Sequence, residues 1–190
     1  MSDASPWDLP SYRLRRKVLK VFGASFHVYD GDRVVAFCSQ KAFALKEDIR
    51  LFADESKAKE LLWIRARQVI DFAASYDVVD SASQQKVGAL RRRGLRSMLR
   101  DSWLLLDADD REIARVEEDS AWMATLRRFL SNLIPQTFHL DCGPTAAVLK
   151  QRFNPFVYSL DVTVPADCTL DRRLVLAAAV LLAAIEGRQS

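Results

Sequence analysis

The chain has 190 residues, 49% hydrophobic and 28% charged, a balance that excludes a disordered or low-complexity protein and is enough for one sizeable core. Lys and Arg number 28 against 25 Asp and Glu, a net charge of +3 that implies no nucleic-acid partner unless cations cluster locally. Six Gly and six Pro leave no room for a collagen-like repeat.

Residues 1–11, MSDASPWDLPS, lack the basic and apolar regions of a secretory signal and read as a flexible N-terminal tail, with residues 12–190 as a single domain in the cytoplasm. A first strand is expected over Tyr12–Lys20, carrying Arg13, Arg15, Arg16, Lys17 and Lys20. Cations on an exposed strand also discourage edge-to-edge pairing.

The most informative pattern then begins. An Asp closes an apolar, alternating stretch at Asp30, Asp54, Asp80 and Asp107, recurring every 24 to 27 residues, and again at Asp141. Each Asp heads a polar loop and is followed by a second apolar stretch, as in FHVYD-GD-RVVAFC and WLLLD-ADD-REIARV. Asp tolerates turn geometry and bonds its own backbone, so each unit reads as a β-hairpin.

Within the third unit, Lys86–Arg100 (KVGALRRRGLRSMLR) holds six cations and no acid. Arg91, Arg92, Arg93, Arg96 and Arg100 offer forked donors matched to phosphate oxygens. Strand alternation turns Arg91 and Arg93 to one face and Arg92 to the other, where an interior arginine needs a partner, with Glu117, Glu118 and Asp119 as candidates. An ion-paired or solvated barrel edge accounts for the same run.

The longer interval before Asp141 contains Asp119–Leu133, where Trp122, Met123, Leu126, Phe129, Leu130 and Leu133 follow helical spacing. Ser120 suits its N-cap and Pro135 its end. With Arg127 and Arg128, this amphipathic helix either lies on an anionic membrane or caps the barrel. One more strand is expected over Phe156–Val164, for about twelve in all.

Leu174–Ile185, LVLAAAVLLAAI, has no polar side chain, with Asp171 placed to cap it and Gly187 to stop it. A bilayer span needs about 20 apolar residues, and this run is bounded by Arg172-Arg173 and Glu186-Gly187-Arg188, so no transmembrane helix is expected. A helix apolar on every face is buried all round. A closed barrel of about twelve strands has an interior too wide for side chains alone, and such a helix would fill it. The expected fold is all-β: a closed antiparallel barrel around a buried C-terminal hydrophobic helix.

Over Tyr12–Arg188 this pattern resembles the tubby-like superfamily, which includes tubby C-terminal domains, LURP-one-related proteins and phospholipid scramblases. The resemblance is closest at Phe153-Asn154, the strand Phe156–Val164, Leu170-Asp171 and Arg172-Arg173 leading into the helix. It implies a twelve-stranded barrel around a central helix and, from the tubby branch, phosphoinositide binding through basic residues. Scramblase-like lipid translocation is the less favoured implication. The calcium proposed for scramblases needs a dense acidic segment, whereas Asp161, Asp167 and Asp171 are dispersed.

No nucleotide-binding loop, zinc-protease motif or nucleophile elbow is present, so no catalytic residue, cofactor or metal is expected. His27 and His139 lack a motif partner and read as strand histidines, and Cys38, Cys142 and Cys168 as separate buried thiols in a reducing compartment. The expected function is non-enzymatic: binding of anionic phospholipid or phosphoinositide head groups, or another phosphorylated ligand, through Arg91, Arg92, Arg93, Arg96, Arg100, Arg127 and Arg128. A protein-interaction scaffold is the alternative. The expected location is cytoplasmic, or peripheral at a membrane.

Overall fold

The computed structural model describes residues 5–16, 24–40, 48–67, 74–92, 102–118, 135–154 and 157–186. The expected amphipathic helix over Asp119–Leu133 lies outside these residues, as do Arg93, Arg96, Arg100, Arg127 and Arg128.

Twelve strands are present: β1 (Ser11–Arg16), β2 (Ala24–Asp30), β3 (Arg33–Gln40), β4 (Asp48–Phe52), β5 (Glu60–Ala66), β6 (Ser75–Asp80), β7 (Lys86–Arg92), β8 (Ser102–Leu106), β9 (Glu112–Glu118), β10 (Thr137–Asp141), β11 (Ala146–Gln151) and β12 (Ser159–Thr163). Each pairs antiparallel with its neighbours in sequence, and β12 returns to β1 through Leu14 opposite Leu160 and Arg13 opposite Asp161, closing the barrel. The Asp-headed loops are the hairpin turns of one end, called here the turn end.

Local chemistry explains those turns. Asp54 Oδ1 accepts from the Ser56 N–H at 2.8 Å, Asp80 Oδ1 from Ser83 at 2.8 Å, and Asp107 Oδ1 from Asp109 and Arg111, both at 2.9 Å. Each carboxylate thereby satisfies loop amides that have no strand partner. Reversal of the chain needs one left-handed residue per turn, supplied by Gly31, Lys57, Gln84 and Asp110. Just before the turn, register shifts at Val28/Tyr29, Leu51/Phe52, Val78/Val79 and Leu105/Leu106 put an irregularity in each of the first four hairpins. Repeated at the same place, such bulges add the twist and coiling that closure requires.

The helix α1 (Arg172–Glu186) enters from the turn end and fills the interior. Asp171 caps it, accepting from the Arg173 N–H at 2.9 Å, while its own carbonyl accepts from Leu174 and Val175. Every residue from Leu174 to Ala184 is at most 2% exposed. Facing strands present alternate residues to it, such as Leu14, Phe26, Ile64, Leu105 and Phe138. A helix wrapped by a barrel meets apolar surface in all directions, which is why its sequence has no polar stripe.

Part of the segment expected as a tail belongs to this core. Pro6–Asp8 form a 3-10 turn against α1, Pro6 is buried, and Trp7 and Leu9 pack on the core. The Pro10 carbonyl then accepts from Val164 N–H at 2.8 Å. No helix among the described residues is long and apolar enough to cross a membrane.

Candidate anion-binding surfaces

Alternation places the two described members of the central arginine run on opposite faces. Arg91 points outward, its Nε donating to Ser75 Oγ at 3.2 Å. Arg92 stands opposite Trp103 across β7 and β8, on the inward face, with its guanidinium 6.0 Å from the Trp103 ring centre. Trp103 is 2% exposed. An arginine at a barrel mouth is thus held over an aromatic face, a cation–π contact that offsets part of its desolvation. Glu117 is placed opposite His139 and Ser102, and Glu118 is buried.

The opening strand carries a second basic group, and closure changes its meaning. β1 has a neighbour on each side, so Arg13 and Arg15 do not guard an edge. Closure brings them beside Lys150 and Arg152. One row across three strands reads Lys150, Asp161, Arg13, since Asp161 is opposite both cations. In the next row Arg15 is opposite Ser159, whose carbonyl accepts from the Arg152 N–H at 2.9 Å. The Asp161 carboxylate bonds both Arg13, at 2.7 Å, and Arg152. Burial would raise the Asp161 carboxyl, but the two guanidinium hydrogen bonds outweigh it and leave it below the usual range. Four cations therefore surround one carboxylate, and among the described residues Arg15 and Lys150 hold no acid. Both are exposed, as is Arg152, so the surplus faces solvent.

On one stretch of the wall the cations are matched by acids. On the outer face of β4–β7, Arg50 binds Asp48 at 3.0 Å and Glu60 at 2.7 Å. The Trp63 ring lies between Arg50 and Arg65, at 4.6 and 4.9 Å from its centre, with its indole N–H on Asp48 at 2.7 Å. Arg67 joins Asp77 at 2.6 Å and Asp110 at 2.5 Å, and Lys86 reaches the same Asp110 oxygen at 2.6 Å. Those bonds, Arg67 first, push the Asp110 carboxyl down to about 2. This belt is a closed set of ion pairs with little surplus charge to offer a ligand.

Charge also divides along the axis. The division is one of excess: Arg15, Arg16, Arg91, Arg92 and Arg152 outnumber Asp48, Glu117 and Glu118 at the end opposite the turns, while Asp30, Asp54, Asp107, Asp109, Asp141 and Asp167 belong to the turn end beside Arg33, Lys57, Lys59 and Arg111. Among the described residues no group of three His, Cys, Asp or Glu is placed to hold a metal ion. His27 is engaged with Glu55 at 2.6 Å and packs against Phe37 and Tyr29, a clamp that holds the second turn against the outside of β2 and β3.

Lys150 and Arg152 escape a reading of the sequence because two cations at the end of one strand form no basic run of their own. The available signal is the closure itself: once the last strands are paired with the first, Arg13 and Arg15 acquire them as neighbours. No family model, characterised protein or solved structure matches the chain.

Proposed function

We propose that this chain is a non-enzymatic barrel of the tubby-like kind that binds anionic lipid head groups, or another phosphorylated ligand, at its basic end. One observation carries the reading: Arg13, Arg15, Lys150 and Arg152 cluster at the closing seam around one carboxylate, Asp161, which pairs with Arg13 and Arg152 alone. Forked guanidinium donors beside a free ammonium suit the multiple oxygens of a phosphate. An axial separation of charge would orient the barrel with its basic end toward an anionic surface. Arg91 and Arg92 leave the sheet at that same end.

The test is flotation with neutral, phosphatidylserine-containing and phosphoinositide-containing vesicles across a salt series, alongside titration with soluble inositol hexakisphosphate. Salt-sensitive binding to anionic vesicles, lost in Arg15→Glu/Lys150→Glu at unchanged melting temperature, is the expected result. Binding of the soluble phosphate without flotation would assign a soluble ligand. Salt-resistant binding to all vesicles, or no binding to any probe, would overturn the reading, the latter in favour of a protein partner.

A further inference from the structure

Cys142 and Cys168 are 26 residues apart in sequence, with no motif joining them. In the fold they meet at the turn end. Cys142 follows the last residue of β10, and Cys168 lies in the connection from β12 to α1. Two backbone segments hold them side by side. The Thr169 N–H donates to the Cys142 carbonyl at 2.7 Å, and the Thr169 hydroxyl donates to the same oxygen at 3.2 Å. The Thr145 hydroxyl bonds the Asp167 carboxylate. Gly143 fits so closely that a Cβ there would stand 3.2 Å from the Asp167 carbonyl oxygen. The Cys142 thiol donates to the Thr145 carbonyl at 3.2 Å, and burial, with the neighbouring Cys168 thiol, pushes Cys142 up to about 12. Cys142 is 2% exposed, whereas Cys168 is partly exposed.

This asymmetry is that of a reactive thiol with a resolving partner. We propose that Cys142 and Cys168 form a redox-active pair that closes into a disulfide when a hydroperoxide reaches Cys168. In the first step the Cys168 sulfur attacks the peroxide: an S–O bond forms as the O–O bond breaks, the thiol proton leaves with the other oxygen as water from hydrogen peroxide (an alcohol from an organic hydroperoxide), and Cys168 becomes a sulfenic acid. In the second, the Cys142 sulfur attacks that sulfur: the S–S bond forms, the S–O bond breaks, and the Cys142 proton leaves with the hydroxyl as a second water. Each cysteine loses one electron and the peroxide gains two. The raised Cys142 thiol makes it a poor first target and reserves it for the second step. The bond would staple the β10–β11 turn to the segment that leads into the central helix, cross-linking the unfolded chain as well as the folded one.

Hydrogen peroxide is added to the full chain, free thiols are blocked with N-ethylmaleimide, and the digest is read by mass spectrometry. The expected product is one intramolecular Cys142–Cys168 cross-link, with Cys38, buried in the barrel wall, still alkylated after unfolding. Dithiothreitol should reverse it. The oxidised protein should melt about 5 °C or more above the reduced one. In Cys168→Ser both cross-link and shift should vanish, with the melt of the reduced protein retained. Over-oxidation of Cys168 without a cross-link, disulfide-linked dimers instead of an internal bond, or an unchanged mixture of thiols would each overturn the proposal.

Discussion

Arg173 Nη1 donates to Asp80 Oδ2 at 2.9 Å, joining residues 93 positions apart and fixing the first turn of the central helix to the third hairpin turn. Asp80 does two jobs at once, because its Oδ1 accepts from the Ser83 N–H and hydroxyl at 2.8 and 3.0 Å. Arg173 also forks onto Asp171, the helix cap. A buried carboxylate so engaged is costly to truncate, since Arg173 and the Ser83 amide lose their partner together.

Asp80→Ala should therefore lower stability by about 2–4 kcal/mol. Asp80→Asn keeps an oxygen for the turn and loses only charge assistance, so about 1–2 kcal/mol is expected. Urea denaturation of both variants checks the order. Equal losses would mean that the charge-assisted Arg173 link, not the turn bond that Asn retains, carries the effect.

Acid should weaken the fold in a defined window. Burial tends to raise the Asp80, Asp161 and Asp171 carboxyls, but the arginine and amide hydrogen bonds prevail and leave all three lowered; Asp110 falls to about 2. Groups lowered on folding stabilise the native state above their unfolded value, near 4, and lose that contribution as pH falls through the folded value. The melting temperature should hold above about pH 5 and decline between about pH 4 and 2. Asp110→Asn should flatten part of that decline and cost at most about 1 kcal/mol at neutral pH, since the site is half-exposed and Asn tolerates its left-handed backbone. A decline of unchanged steepness would remove Asp110 from the account.

The features legible in the sequence are those that local chemistry or one-dimensional periodicity determines. Asp54, Asp80 and Asp107 mark turns because an Asp bonds amides within four residues of itself. Leu174–Ala184 announces a central helix because burial on all sides leaves no polar stripe. The register shifts before each turn leave no such trace, since Leu51, Phe52, Leu105 and Leu106 are apolar in either register. The basic seam and the facing cysteines are hidden for a different reason: Arg13 meets Asp161 across 148 positions, a proximity that exists only after closure. For the same reason the cations of β1, read as edge protection, become half of a patch once β12 lies beside them.

Gly88 reports on the fit of helix to barrel. A Cβ at this position would stand 2.3 Å from the Leu106 carbonyl oxygen and 3.0 Å from both Leu174 methyl groups. The first of these is backbone in the neighbouring strand, so relief requires β7 and β8 to separate. Gly88→Ala should cost at least about 2 kcal/mol, against the small gain that the same change gives at an unconstrained strand position. A shift in the urea midpoint measures it. A neutral result would mean that β7 and β8 yield more than their pairing suggests.

The interior helix supplies the most demanding test of the architecture. Leu176 and Leu181 are 0% and 1% exposed, on a helix enclosed by strands on every side. Leu181→Ala leaves a cavity that a closed barrel cannot collapse around, because twelve hydrogen-bonded strands set its circumference. The loss should fall toward the upper part of the 2–5 kcal/mol that such truncations cost. Leu176→Asp or Leu181→Asp goes further by placing an unpaired carboxylate among methyl groups, several kcal/mol or more above what the fold can absorb, so neither variant should give a folded monomer. Circular dichroism and a thermal melt decide the matter. A cooperative melt in either aspartate variant would mean that the helix leaves the barrel or that water reaches it, and the enclosed-helix architecture would fall with that result.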